Sequence, residues 1–161
     1  MMGSKIWHLE LTQREQFVPS KVREGMSLLE VNDAALNARF YQAVGQSLSW
    51  NDRLPWADEQ WEEWVNRQRL KTWVAFFCGE EAGFVEMEIQ DGGNVEIVYF
   101  GLLPSMIGKG LGSAMLTLAV QEAWRIEDTR RVWLHTCSED HPHALANYEK
   151  RGFRLFRTEV L

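Results

Sequence analysis

The part of this chain best suited to chemistry is the run Leu102-Leu103-Pro104-Ser105-Met106-Ile107-Gly108-Lys109-Gly110-Leu111-Gly112-Ser113. An apolar stretch ends in a turn with glycines at alternate positions 108, 110 and 112, and a helical pattern starts directly from it. Glycine has no Cβ, so a ligand can approach its amide closely. Amides left unpaired at a helix start, reinforced by the helix dipole, bind phosphate oxygens. A structural turn is the other reading of such glycines. Two familiar phosphate loops do not fit. A P-loop needs glycine where Leu103 stands and Ser or Thr where Gly110 stands. The dinucleotide fingerprint begun at Gly108 needs glycine at position 113, which is Ser113.

Other groups stand apart in the chain. Tyr148 lies in Ala144-Leu145-Ala146-Asn147-Tyr148-Glu149-Lys150-Arg151-Gly152-Phe153. By its neighbours alone it reads as a half-buried ring packing with Leu145. Glu96 begins the most apolar strand, on the face of Val98, Phe100 and Leu102 by strand parity. It is either a general base or an exposed carboxylate, with His135 as a rival base. The segment around Trp50, Asn51, Asp52, Trp56, Asp58, Trp61 and Trp64 sets aromatic faces beside carboxylates, a combination that favours a cationic amine. His141-Pro142-His143 has no partners at metal-ligand spacing, so no metal is expected.

The elements that must position these residues follow from periodicity. Ile6–Leu11 alternates as an opening strand. Asn32-Asp33 caps a helix carrying Leu36, Phe40, Tyr41 and Val44, and a second helix runs from Asp58 to about Gln68. Strands are predicted over Thr72–Cys78, Phe84–Gln90 and Val95–Leu103, then a helix over Lys109–Arg125 and a strand over Arg131–Cys137. A short helix after Pro142 ends at Gly152, and Phe153–Val160 closes the chain as strand. The order predicts a mixed α/β layer around one sheet.

The glycine run and the Tyr148 segment together resemble the GCN5-related N-acetyltransferases, over roughly residues 72–160. Leu102-Leu103-Pro104 and Gly108-Lys109-Gly110-Leu111-Gly112 are similar to the family's first motif, with Ile107 in place of its usual Arg or Gln. Ala144–Phe153 is similar to the second motif, with His141 where the family usually has Asn. The resemblance implies a twisted, mostly antiparallel sheet of six to seven strands, splayed between the fourth and fifth and flanked by about four helices. It implies acetyl-CoA as cosubstrate, with Ile107, Gly108, Lys109, Gly110, Leu111, Gly112, Ser113 and Asn147 around the coenzyme. Leu102 or Leu103 would offer an N–H to the thioester carbonyl, Tyr148 would serve as acid, and Glu96, six residues before Leu102, as base. The helices before the sheet would wall the amine site, with Asp52 as anchor beside Trp50 and Trp56. A non-catalytic acetyl-CoA sensor and a protein- or peptide-acetylating enzyme are the alternatives.

Bulk properties bound the rest. A chain of 161 residues suits one domain, taken as 1–161. A net charge of −6 argues against a nucleic-acid partner. No stretch approaches the roughly 20 apolar residues of a membrane span. Met1-Met2-Gly3 fits neither a signal peptide nor myristoylation, so a cytoplasmic protein is expected. Cys78 and Cys137 read as buried free thiols in strands. A small-molecule amine is the expected partner, and a homodimer stays open.

Overall fold

Strands occupy the β-branched and aromatic runs: β1 (Lys5–Leu11), β2 (Met26–Val31), β3 (Leu70–Phe77), β4 (Glu80–Gln90), β5 (Asn94–Leu102), β6 (Arg131–Cys137) and β7 (Arg154–Val160). The α-helices are α1 (Ala34–Gly45), α2 (Asp58–Val65), α3 (Gly112–Arg125) and α4 (Ala144–Lys150). The computed structural model describes residues 3–46, 48 and 50–161, so the reading of Met1 and Met2 lies outside the described residues.

Local chemistry sets most boundaries. The Asp33 carboxylate accepts the Ala35 N–H at 3.1 Å and starts α1. Helix α3 starts at Gly112 rather than Lys109, because Gly108 and Gly110 hold φ of +87° and +73°, outside helical space. Strand β2 has no clear sequence signal: Leu28-Leu29-Glu30 breaks the alternation, and an edge strand paired only with β3 needs little burial.

The strands form one sheet in the order β2-β3-β4-β5-β6-β1-β7. All neighbours run antiparallel except β5 and β6, which α3 joins by a crossover. This is the mixed, mostly antiparallel sheet with four helices that the resemblance implies. The opening strand β1 lies between β6 and β7, pairing Ile6 with Cys137 on one side and with Glu159 on the other.

Each face of the sheet has its own core. On one, Leu116, Ala119, Val120 and Ala123 of α3 and Tyr148 of α4 pack on Leu9, Leu11, Val85, Met87, Val95, Ile97, Val132 and Leu134. On the other, Phe40, Tyr41 and Val44 of α1 and Trp61 and Val65 of α2 cover Val74 and Phe84. The faces exchange partway along β5. Met87 pairs with Ile97 but Glu86 pairs with Tyr99, so Val98 is an extra, bulged residue. Val95 and Ile97 therefore share a face with Phe100, and Glu96 does not. The expected parity of Glu96 with Phe100 and Leu102 is corrected by this bulge.

The thiols also need correction. Cys78 is exposed, on a tight turn with φ of +52°, and Cys137 is half-buried. Both are free. Among the described residues no helix is long and apolar enough to cross a membrane.

Candidate active site

β5 and β6 pair only from Asn94 with Arg131 to Ile97 with Leu134. Beyond that point they separate, at the fourth and fifth strands of the sheet order. The bulge at Val98 falls where the separation begins, and bulges bend strands and increase twist. The gap opens into a cleft of about 760 Å³, bounded by Val98–Leu102 on one side and Leu134–Cys137 on the other. The glycine loop and α4 close one end, and Trp50, Asn51 and Asp52 border the other.

The loop at residues 107–113 has the form a phosphate needs. Among the described residues no main-chain acceptor takes the N–H groups of residues 108–114; the first paired amide is Met115, which donates to the Leu111 carbonyl at 2.9 Å. Gly108 and Gly110 take the left-handed conformations that turn this run of amides outward. Ile107, Gly108, Gly110, Leu111, Gly112 and Ser113 line the cleft, whereas Lys109 does not. The Ser113 hydroxyl donates to Asn147 Oδ1 at 2.7 Å, tying the start of α3 to α4. Both residues line the cleft.

The strand end offers one amide, not two. The Leu103 N–H donates to the Ala82 carbonyl at 2.7 Å and is consumed by β4. Alternation along the strand sends the Leu102 N–H to the opposite edge, toward the cleft that Leu102 lines. Of the two amides expected to meet a thioester carbonyl, Leu102 is therefore the available one.

Tyr148 projects from α4 into the cleft with 8% of its surface exposed. Its ring packs edge-on against Phe100 and Phe153 at 6.4 and 5.8 Å between centroids. Burial pushes its phenol well above the usual range, with Asp140 adding to the effect, so it stays protonated.

Glu96 stands behind the cleft wall and does not line it. Gln90 Nε2 donates to Glu96 Oε1 at 3.0 Å, and burial raises the carboxyl above the ordinary glutamate value. Its Oε2 lies 3.7 Å from Nδ1 of His135, which does line the cleft. Burial lowers the His135 pKa, and the neighbouring His8 lowers it further. His8 pairs directly with His135 across β1 and β6, and its Nε2 lies 2.7 Å from Glu159 Oε1.

At the far end, Asp52 Oδ1 accepts hydrogen bonds from the Tyr41 hydroxyl at 3.0 Å and from the Tyr99 hydroxyl. Trp50 lies tilted against Tyr99, 4.6 Å between centroids, and fits over the end of α1 because Gly45 has no side chain. A Cβ on Gly45 would stand 2.6 Å from the indole. Trp50 Nε1 donates to Asp140 Oδ1 at 3.1 Å, bridging the two sides of the opening. Asp140 Oδ2 in turn accepts from the Thr136 hydroxyl at 2.7 Å and the Cys137 N–H at 3.0 Å.

Trp56 is elsewhere. It packs on Trp61 and Trp64, and the buried Arg53 guanidinium lies over its ring at 4.7 Å. Sequence grouped it with Trp50 and Asp52 by proximity, but its ring is engaged with the buried cation. Conversely, Tyr99 and Asp140 border the cleft without having been singled out. The bulge hid Tyr99, while Asp140 carried a signal in Ser138-Glu139-Asp140, a turn sequence directly after a strand.

The fold has many solved counterparts. An N-acetyltransferase of the GCN5-related type from Sphaerobacter thermophilus superposes with a TM-score of 0.72 at 20% identity, covering 99% of this chain and 51% of that one. One from Kribbella flavida gives 0.70 at 17% identity, covering 98% and 58%. The aminoglycoside acetyltransferase meta-AAC0020 from an uncultured soil metagenomic sample gives 0.64 at 13% identity, covering 81% and 90%. Among the first six structures matched, the chain spans between 50% and 62% of the other's length. No curated protein matches it significantly. A model of the acetyltransferase (GNAT) family matches residues 33–153, which include α1, the splayed strands, the glycine loop and Tyr148, and the chain belongs to that family.

Proposed function

We propose that the chain transfers an acetyl group from acetyl-CoA directly to a primary amine of a small cationic molecule. The observation that carries this reading is the unpaired run of amides at residues 108–114 at the end of an open cleft between β5 and β6. A diphosphate fits the amides, and a narrow acyl-bearing arm fits between the parted strands.

Each residue has a distinct task. Acetyl-CoA supplies the activated acyl group. The Leu102 N–H donates to the thioester carbonyl oxygen, where one fixed donor contributes about 3 kcal/mol in the transition state. Tyr148, kept protonated by burial, donates a hydrogen bond to the departing sulfur. The raised phenol is a weak acid toward a thiol of ordinary pKa, so stabilisation by hydrogen bonding carries more than complete proton transfer.

His135 takes the amine's proton. Its lowered pKa keeps the imidazole neutral, the form that accepts a proton, and Glu96 at 3.7 Å steadies the imidazolium that results. Glu96 thereby becomes a positioning residue behind the cleft wall. Asp52, with one oxygen held by two tyrosines, anchors the acceptor's positive charge, and Glu139 and Asp140 add negative charge to the same cleft. The acidic lining supports an acceptor with more than one ammonium group.

Thiol release from acetyl-CoA over a panel of mono- and polyamines tests the proposal. Tyr148→Phe should lower kcat by about a hundredfold while leaving acetyl-CoA affinity unchanged. Asp52→Asn should raise KM for polyamines more than for monoamines. Binding without turnover of any amine would mark an acetyl-CoA-binding protein instead.

A further inference from the structure

We infer that Arg23, on the segment between β1 and β2, is a coenzyme-binding residue that grips the diphosphate beside Gly110. The inference rests on the acetyl-CoA reading above and adds a side chain to a site otherwise made of main-chain amides.

Arg23 is distant from the loop in sequence and adjacent to it in space. Its Nη1 lies 3.3 Å from the point a Cβ on Gly110 would occupy, so the guanidinium rests against the bare face of that glycine. Among the described residues it pairs with no carboxylate. Its guanidinium carbon lies 5.6 Å from the centre of the Phe77 ring, a contact that orients the plane without neutralising the charge.

The segment that carries it is held at both ends. Val18 donates its N–H to the Arg151 carbonyl at 2.8 Å, and Ser20 donates to Thr117 Oγ1 at 3.0 Å, on the first half of α3. On the other side the Cys78 N–H donates to the Gly25 carbonyl at 2.9 Å, and the Met26 N–H to the Arg23 carbonyl at 3.1 Å. Arg23 thus leaves a fixed strap directly over the glycine loop.

The loop needs such a partner. Its amides supply dipoles but no net charge, and of its own side chains Ile107 is apolar and 41% exposed, while Lys109 does not line the cleft. A diphosphate carries full negative charge, and a planar guanidinium matches two of its oxygens at once. Arg23 therefore completes electrostatically what the amides begin geometrically.

Binding of acetyl-CoA to the intact chain and to Arg23→Gln, measured by calorimetry, tests this. The variant should raise Kd about tenfold, the size of one charge-assisted contact at an exposed site. The same loss should appear with dephospho-coenzyme A, which keeps the diphosphate but lacks the 3′-phosphate. Turnover with S-acetylpantetheine, which has neither, should be unchanged. An unaltered Kd for acetyl-CoA overturns the assignment. So does a loss that vanishes with dephospho-coenzyme A, which would move Arg23 to the 3′-phosphate, or a loss that persists with S-acetylpantetheine. If the parent chain itself fails to bind acetyl-CoA, the coenzyme reading falls and takes this role with it. Binding by the parent with an unaltered variant defeats the Arg23 role alone.

Discussion

Two regions on one face of the sheet both set aromatic rings beside carboxylates, and use them oppositely. Under α1 and α2, Glu86 is wholly buried and accepts from Arg53 at 2.9 and 3.1 Å, from Trp64 at 2.9 Å and from Asn37 at 2.9 Å. The Arg53 guanidinium is itself enclosed by Trp56, Trp61, Trp64 and Tyr99. The two buried charges there, Arg53 and Glu86, are paired with each other. A few residues away, Asp52 has one carboxylate oxygen without a hydrogen-bond partner among the described residues, and Asp52 lines the cleft. The first region is a hub that holds α1 and α2 to the sheet; the second is where the proposed function places the amine. Tyr99 belongs to both, since its ring covers Arg53 and its hydroxyl holds Asp52. A charged aromatic cluster in sequence therefore does not distinguish a binding pocket from a buried ion pair. What distinguishes them is whether the carboxylate is already paired with a cation.

The sharpest way to break this comparison is Glu86→Gln. Removing one charge leaves Arg53 buried without compensation, which should cost about 3–5 kcal/mol of stability, read as a shift in the urea midpoint. Asp52→Asn, at the partly open carboxylate, should alter the same midpoint far less. Comparable losses at both sites would erase the distinction drawn here.

Gly110→Ala probes the loop instead. A side chain there must adopt a left-handed φ near +73° and must displace Arg23. Acetyl-CoA affinity should fall by about tenfold or more, with thermal stability reduced by about 1–2 kcal/mol. An affinity equal to the parent's would show that the loop does not present its amides to the coenzyme.

The smallest effect concerns pH. A lowered His135 pKa places the loss of the neutral base below the ordinary histidine value of about 6.5. The acid limb of kcat/KM should therefore have its midpoint below that value. Glu96→Gln removes the carboxylate that steadies the imidazolium, so it should move the midpoint lower still. A limb that ignores both residues would assign the proton to bulk water.

The glycine run, the tyrosine segment and the order of the elements after residue 70 are legible in sequence because they depend on local rules. Glycine spacing, apolar periodicity and helix caps act over a few residues. Their placement agrees with β3 to β7, α3 and α4 to within a few positions. The contents of the site were less legible. The extra residue at Val98 inverted the face of Glu96, and a hydrogen bond from Leu103 to Ala82 removed one of two candidate amides.

Sequence by itself determined that this chain would build an α/β sheet with a glycine turn at the start of a helix, because backbone conformation at Gly108 and Gly110 and the pairing of strands are near-neighbour matters. Tertiary structure alone decided which distant groups meet. It inserted β1 between β6 and β7, set His8 against His135, paired Arg53 with Glu86 and laid Arg23 on Gly110. Each of those contacts joins segments tens of residues apart. They are chosen by the packing of the whole chain, and no local pattern records that choice.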